Sequence, residues 1–198
     1  MFNTLRVIHT LLYRDLIVTF RGPWELIAMT LFSMLAAIPS SIAGANLQVS
    51  LTLTLLFITV FTATQGFLKD KWRGVVEVYW LYPVSPIASF TSKLIYSSML
   101  IIIAINAYIL TLALLGVGYE SIINIMVLAY PLTLYLASIS SLASMLTVHL
   151  KSETPLLIAL TSTLAIPPLL SMNPKISLIT GIAYAVISMI IAELIEYS

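Results

Sequence analysis

Six long apolar runs organise the chain, at about 24–43, 47–68, 94–115, 121–149, 155–172 and 176–195. Each is near the ~20 residues that an α-helix needs to cross ~30 Å of hydrocarbon. The runs are too long for barrel strands and lack two-residue alternation, so the pattern predicts helices rather than a transmembrane β-barrel. A tight turn is expected at Gly44-Ala45-Asn46, and the third run is expected to end at Gly116-Val117-Gly118. The fifth run is expected to stop near Pro167-Pro168 and the chain to restart after Asn173-Pro174. Pro39, Pro131, Pro167 and Pro168 lie inside runs and predict kinks or broken segments, tolerated where neighbouring helices satisfy the freed carbonyls. Ahead of the runs, Phe2, Leu5, Ile8, Leu12, Leu16 and Phe20 recur at steps of three and four, with Arg6, Thr10 and Arg14 on the other side. That is the pattern of an amphipathic helix lying in the membrane interface. A cytoplasmic lead-in helix off the membrane is the alternative. Gly22-Pro23 breaks it before the first crossing.

Composition agrees. Of 198 residues, 60% are hydrophobic and 9% charged, against about 25% charged in a soluble domain. Such a chain cannot cover a water-facing surface, and the expected class is a single all-α membrane domain spanning residues 1–198. A formal net charge of +1 leaves no basic footprint for nucleic acid. With no cysteine, disulfides, thiolate chemistry and cysteine metal sites are absent. Arg6, Arg14 and Asp15 interrupt the N-terminal stretch and argue against a cleaved signal peptide.

Charge changes the picture at one place. Phe67 to Lys93 carries Lys69, Lys71, Arg73 and Lys93 with Asp70 and Glu77, between two membrane-length runs. Each such charge at a helix centre costs about 2.5–3.5 kcal/mol in a bilayer, so the segment is expected in water. Six crossings with the N-terminus inside place Arg6, Arg14, Arg21, Lys69, Lys71, Arg73, Lys93 and Lys151 in the cytoplasm and Lys175 outside. That basic bias predicts cytoplasmic termini. Within the loop, Gly74 supplies the freedom to turn out of the second span. Val75, Val78, Tyr79 and Tyr82 then share one face of a short interfacial helix, with Glu77 on another face. Pro83 ends that helix and Pro86 restarts the chain. Lys93, at the start of the third span, is expected to keep an apolar stem while its ammonium reaches headgroups or Glu77. A capped amphipathic loop carrying positive-inside charge is the plainer reading of the same residues.

Chemistry inside the spans is sparse. Thr52, Thr54, Thr59, Thr62, Thr64 and Gln65 in the second run, and Ser138, Ser140, Ser141 and Ser144 in the fourth, suit close helix packing better than a polar path. Asn106, near the middle of the third run, is expected to join helices rather than bind substrate. His9 and His149 form no evident metal or haem site, and Glu25, Glu193 and Glu196 sit at run ends where solvation explains them. Neither an intramembrane carboxylate pair nor a GxxxxGK[ST] loop occurs. The chain therefore has no engine of its own. It is expected to be no enzyme, with no directly bound cofactor, and either a structural element or one half of a machine driven by a partner.

Arg73-Gly74, Glu77, Pro83 and Lys93, in the spacing RG-x2-E-x5-P-x9-K, resemble the segment between the second and third spans of type-2 ABC export permeases. A finer resemblance is to the haem exporter protein B (CcmB-type) permeases of cytochrome c maturation, carried by Phe67, Asp70, Gly74, Glu77 and Pro83 in F-x2-D-x3-G-x2-E-x5-P. Residues 146–170, LTVHLKSETPLLIALTSTLAIPPLL, and Arg14-Asp15-Leu16 through Phe20-Arg21 are also similar to that family. The basic character of Lys69, Lys71 and Arg73 departs from the acidic run usual before the glycine. The resemblance implies six transmembrane helices, an N-terminal interfacial helix and a short coupling helix between helices 2 and 3. It makes Asp70, Arg73, Gly74, Glu77, Pro83 and Lys93 the loop that couples to an ATPase. It also implies a homodimer working with two separate CcmA-like ATPase subunits that bind the ATP. Further implications are haem as cargo, other cytochrome c maturation membrane proteins as partners, and the plasma membrane as location. An exporter of another lipid, drug or peptide, or a membrane scaffold without an ATPase, is the competing expectation.

Overall fold

A computed structural model describes residues 4–42, 46–75, 85–150, 154–171 and 173–196, and every regular element among them is helical. In chain order these are α1 (Thr4–Arg21), α2 (Trp24–Ile42), α3 (Leu47–Ala63), a π-helical turn (Thr64–Leu68), α4 (Lys69–Trp72), α5 (Pro86–Leu114), α6 (Tyr119–His149), α7 (Thr154–Ser171) and α8 (Pro174–Glu196).

Local chemistry sets the boundaries. The Asn46 side chain accepts the amide of Gln48 at 3.0 Å and caps α3. Ser85 caps α5 by accepting the Ala88 amide at 3.2 Å, with Pro86 in the first turn, where a missing N–H costs nothing. At the far end of α5, Val117 N–H donates to Leu112 O and Gly116 N–H to Ala113 O, both at 3.1 Å. This Schellman closure needs a left-handed residue, and Gly116 supplies it with φ of 78°.

The long helices α5 and α6 form the centre. Helices α1, α2, α3 and α8 pack around α5, while α3, α7 and α8 pack around α6. Their shared core includes Leu51, Leu55, Ile58, Ile101, Ile105, Tyr108, Leu132 and Leu136. Helix α8 meets α6 through the small residues Ser177, Gly181, Ala185 and Ser188, all buried. A Cβ on Gly181 would lie 3.1 Å from the Tyr135 backbone nitrogen, so glycine is what lets the two helices approach. The outer surface is apolar, as Leu31, Leu53, Leu110, Val127, Ile179 and Ile187 show. In lipid that surface needs no further cover.

Five segments are long and apolar enough to cross a membrane: Trp24–Ile42, Leu47–Trp72, Pro86–Leu114, Tyr119–His149 and Pro174–Ile195. The fifth apolar run folds as α7, whose apolar part, Thr154–Leu169, is shorter; at 1.5 Å per residue it covers about 24 Å. The α7 helix also runs through Pro167 and Pro168 to Ser171 instead of stopping at them. The reason is visible one helix away. A proline at 168 leaves the Leu164 carbonyl without its helical donor, and the Tyr135 hydroxyl donates to that carbonyl at 3.2 Å. Pro39 and Pro131 likewise sit inside continuous helices.

Candidate functional site

The π turn and α4 join the second membrane-length segment to residues 76–84, which lie outside the described residues. Around α4 four charged side chains close into a ring. The Lys93 ammonium sits 2.8 Å from Asp15 Oδ2 and 2.7 Å from Asp70 Oδ2. The Arg14 guanidinium lies 2.6 Å from Asp15 Oδ1 and 3.0 Å from Asp70 Oδ2. Each cation thus touches both carboxylates, and the ring ties α1 and α5 to α4. Lys93 is 3% exposed at its side chain, Asp15 7% and Asp70 9%. Beside the ring, Lys69 pairs with Glu25 of α2 and donates to Gln65 Oε1 at 2.8 Å. One turn along α1, Thr19 and Tyr96 hydroxyls meet at 2.7 Å, and Thr19 also donates to the Asp15 carbonyl. Three basic and three acidic residues make the whole assembly neutral.

Taking these ions out of water costs several kcal/mol each, so the ring depends on every member being paired. Such a group adds little net stability over an apolar substitute. What it supplies is a defined seat, in which all four charges are paired. A cavity of about 60 Å³ lies against it, bordered by Val18, Gln65, Arg73 and Tyr96 among others.

The turn that precedes α4 is also specialised. In the π turn the Leu68 amide donates to Ser144 Oγ of α6 at 3.0 Å. A Cβ on Gly66 would come within 3.0 Å of the same oxygen, so the backbone can reach Ser144 only without a side chain there. After α4, Gly74 adopts φ of 69° and its N–H donates to Lys71 O at 3.0 Å. That is the left-handed residue that ends a helix. Nothing lies within 4 Å of where its Cβ would be, so its role is conformational.

Of the residues singled out in the sequence, Asp70 and Lys93 meet in the ring. Arg73 is exposed at the end of α4, and Gly74 makes the turn expected of it. Glu77 and Pro83 lie outside the described residues, as do Val78, Tyr79 and Tyr82. The expectation for Lys93 is corrected: two carboxylates outcompete headgroups for the ammonium, and it is buried. Glu25 is likewise paired with Lys69 and not merely solvated. Helix α1 exists as expected, but the groups it buries are polar, Asp15 and Thr19, while Leu5 and Phe20 are exposed. Arg14, assigned to the outer polar face, turns into the ring.

Sequence reasoning missed Asp15, Arg14 and Lys69 as site residues. The available signal was Asp15 itself, a carboxylate spaced i+3 from Leu12 and i+4 from Leu11. The hydroxyls of the spans mostly bond carbonyls of their own helix, as Thr54, Thr59 and Ser138 do, while Ser97 meets Ser141 across helices at 3.3 Å. Asn106 joins α5 to α6, accepting from the Tyr130 hydroxyl at 2.7 Å. No group of three or more His, Cys, Asp or Glu suited to a metal ion occurs among the described residues. No family model, curated protein or solved structure matches this chain.

Proposed function

We propose that this chain is the transmembrane permease subunit of an ABC transporter, of the type-2, CcmB-like kind, driven by a separate ATPase. In this reading α7 also crosses the membrane, giving six spans with both termini and residues 69–93 in the cytoplasm of the plasma membrane. Two copies pair, and each takes one ATPase subunit at residues 70–83. Haem delivery for cytochrome c maturation is the cargo that the sequence resemblance favours.

The observation that carries this reading is the investment of buried charge at the root of that segment. Membrane helices associate through packing and hydroxyl contacts alone. Three elements converging ion pairs on the four-residue α4 are unnecessary for packing. They make sense where a displacement applied to the adjoining segment has to reach the spans. Under this reading, Arg73, exposed at the end of α4, faces the partner. The ring, with the Lys69–Glu25 pair beside it, makes α1, α2 and α5 respond as a unit.

The test is isolation of the native complex in mild detergent. An ATPase bearing a phosphate-binding glycine loop co-purifies with the wild type and is lost from Gly74→Leu combined with Glu77→Ala. A haem absorbance band in the same material identifies the cargo. If no ATPase associates, the permease reading fails.

A further inference from the structure

Helix α4 is one turn long and lies between two glycines that its geometry uses. Before it, Gly66 sits in the π turn against Ser144; after it, Gly74 turns with φ of 69°. Of its own side chains, Trp72 is 64% exposed. Lys69 and Asp70 face inward and form ion pairs with Glu25, Arg14 and Lys93. The apolar anchor nearest to it is Leu68, the last residue of the π turn, packed with Ala63 and Leu157. A short rigid segment is thus seated on its neighbours by charge and flanked on each side by a glycine.

We infer that α4 is a lever hinged at Gly66 and Gly74, and that Asp15 of α1 is the positioning residue that keeps it seated. Asp15 acts on α4 through its two cationic neighbours. It holds Arg14 and Lys93, the two cations that grip Asp70, at 2.6 and 2.8 Å. Without it, both cations lose one of their carboxylates, and Asp70 faces two positive charges with nothing to fix their place. Helix α1 is then a working part of the loop's seat, beyond any role as a membrane anchor. That a partner subunit is what moves the lever rests on the permease reading; the seating of α4 by Asp15 does not.

The absence of cysteine allows a clean measurement. Spin labels at Arg73→Cys and Met99→Cys, in the full chain in lipid nanodiscs, report the position of the end of α4 against α5. With Asp15 present the distance distribution is narrow. Asp15→Asn shifts it or broadens it roughly twofold, as an element freed from one bias redistributes between seats. Asp15→Glu keeps it narrow. Thr19→Ala breaks the hydroxyl contact between α1 and α5 and leaves it unchanged. Should Asp15→Asn fail to fold, the charge-balanced Asp15→Asn/Lys93→Met pair replaces it and is expected to broaden the distribution as well. A parental distribution in the folded Asn variant or the balanced pair overturns the proposal. So does a Thr19→Ala variant that broadens as much as Asp15→Asn, since α1 packing and not charge would then hold the seat. Co-purification of an ATPase is scored separately, so the lever can fail while the permease reading stands, and the reverse.

Discussion

The two ends of α5 are tied to their neighbours by different chemistry. Near its start, Lys93 enters a closed ring of buried charge with α1 and α4. Fifteen residues on, about 22 Å at 1.5 Å per residue, the buried hydroxyl of Tyr108 donates to Ser50 Oγ at 3.2 Å and lies 3.5 Å from Ser40 Oγ. Those serines keep bonds of their own, Ser50 to the Ala36 carbonyl and Ser40 to the Ala37 carbonyl. Nothing at the Tyr108 end is left stranded if one contact opens. At the Lys93 end, removing one partner leaves a buried charge uncompensated. The neutral clasp is therefore glue that tolerates drift, while the charged ring admits one arrangement and penalises departures from it. A bundle that needed only to hold together would use the first chemistry at both ends.

The largest effect expected from this contrast is at Lys93. Lys93→Met leaves two buried carboxylates with a single cation and should lower stability by about 3–5 kcal/mol, as breaking buried pairs does. Reversible unfolding in detergent or nanodiscs measures it. Adding Asp15→Asn restores charge balance around Arg14 and Asp70, so the double variant should lose less than the two single losses added together. Strict additivity would mean that the ring is no unit.

At the hinge, Gly66→Ala presses a methyl against Ser144 and is expected to cost about 1–3 kcal/mol, the usual range for overpacking. Combining it with Ser144→Ala relieves part of the clash, read by the same unfolding assay as a loss smaller than the sum. Gly74→Leu must hold a side chain at positive φ, for about 1–2 kcal/mol, a modest stability change. Under the permease reading its main consequence is loss of the ATPase from the purified complex.

The smallest effect belongs to the neutral end. Tyr108→Phe removes one hydroxyl contact between membrane helices, worth about 0.6 kcal/mol on average. A loss there as large as that at Lys93 would erase the distinction between the two ends.

Much of the scaffold was legible because it rests on local rules. Apolar runs marked the helices, Gly116 marked the end of a span and Gly74 a turn, and Asn106 proved to bridge two helices. The fifth run has the length of a crossing by hydropathy while the apolar part of α7 is shorter, because composition does not show where a helix ends. Pro167 and Pro168 read as a stop because the donor that rescues the Leu164 carbonyl is Tyr135 of another helix. The ring was opaque for the same reason. Its partners are 56 and 78 residues apart, and periodicity scored Asp15 as an interruption of an apolar stripe. Lys93 met the rule for positive charge at a cytoplasmic helix end, and that rule carries no information about which carboxylates a lysine will find.

Under the permease reading, the charged end of this bundle, and not the hydroxyl-bonded end, is where an ATPase acts. Arg73→Cys, at the exposed end of α4 in an otherwise cysteine-free chain, gives the most direct test, using a short thiol cross-linker in native membranes, with Lys175→Cys as the opposite-face control. The account predicts a covalent adduct with a nucleotide-binding ATPase subunit from position 73 and none from position 175. An adduct from 175, or no ATPase adduct from 73, contradicts it.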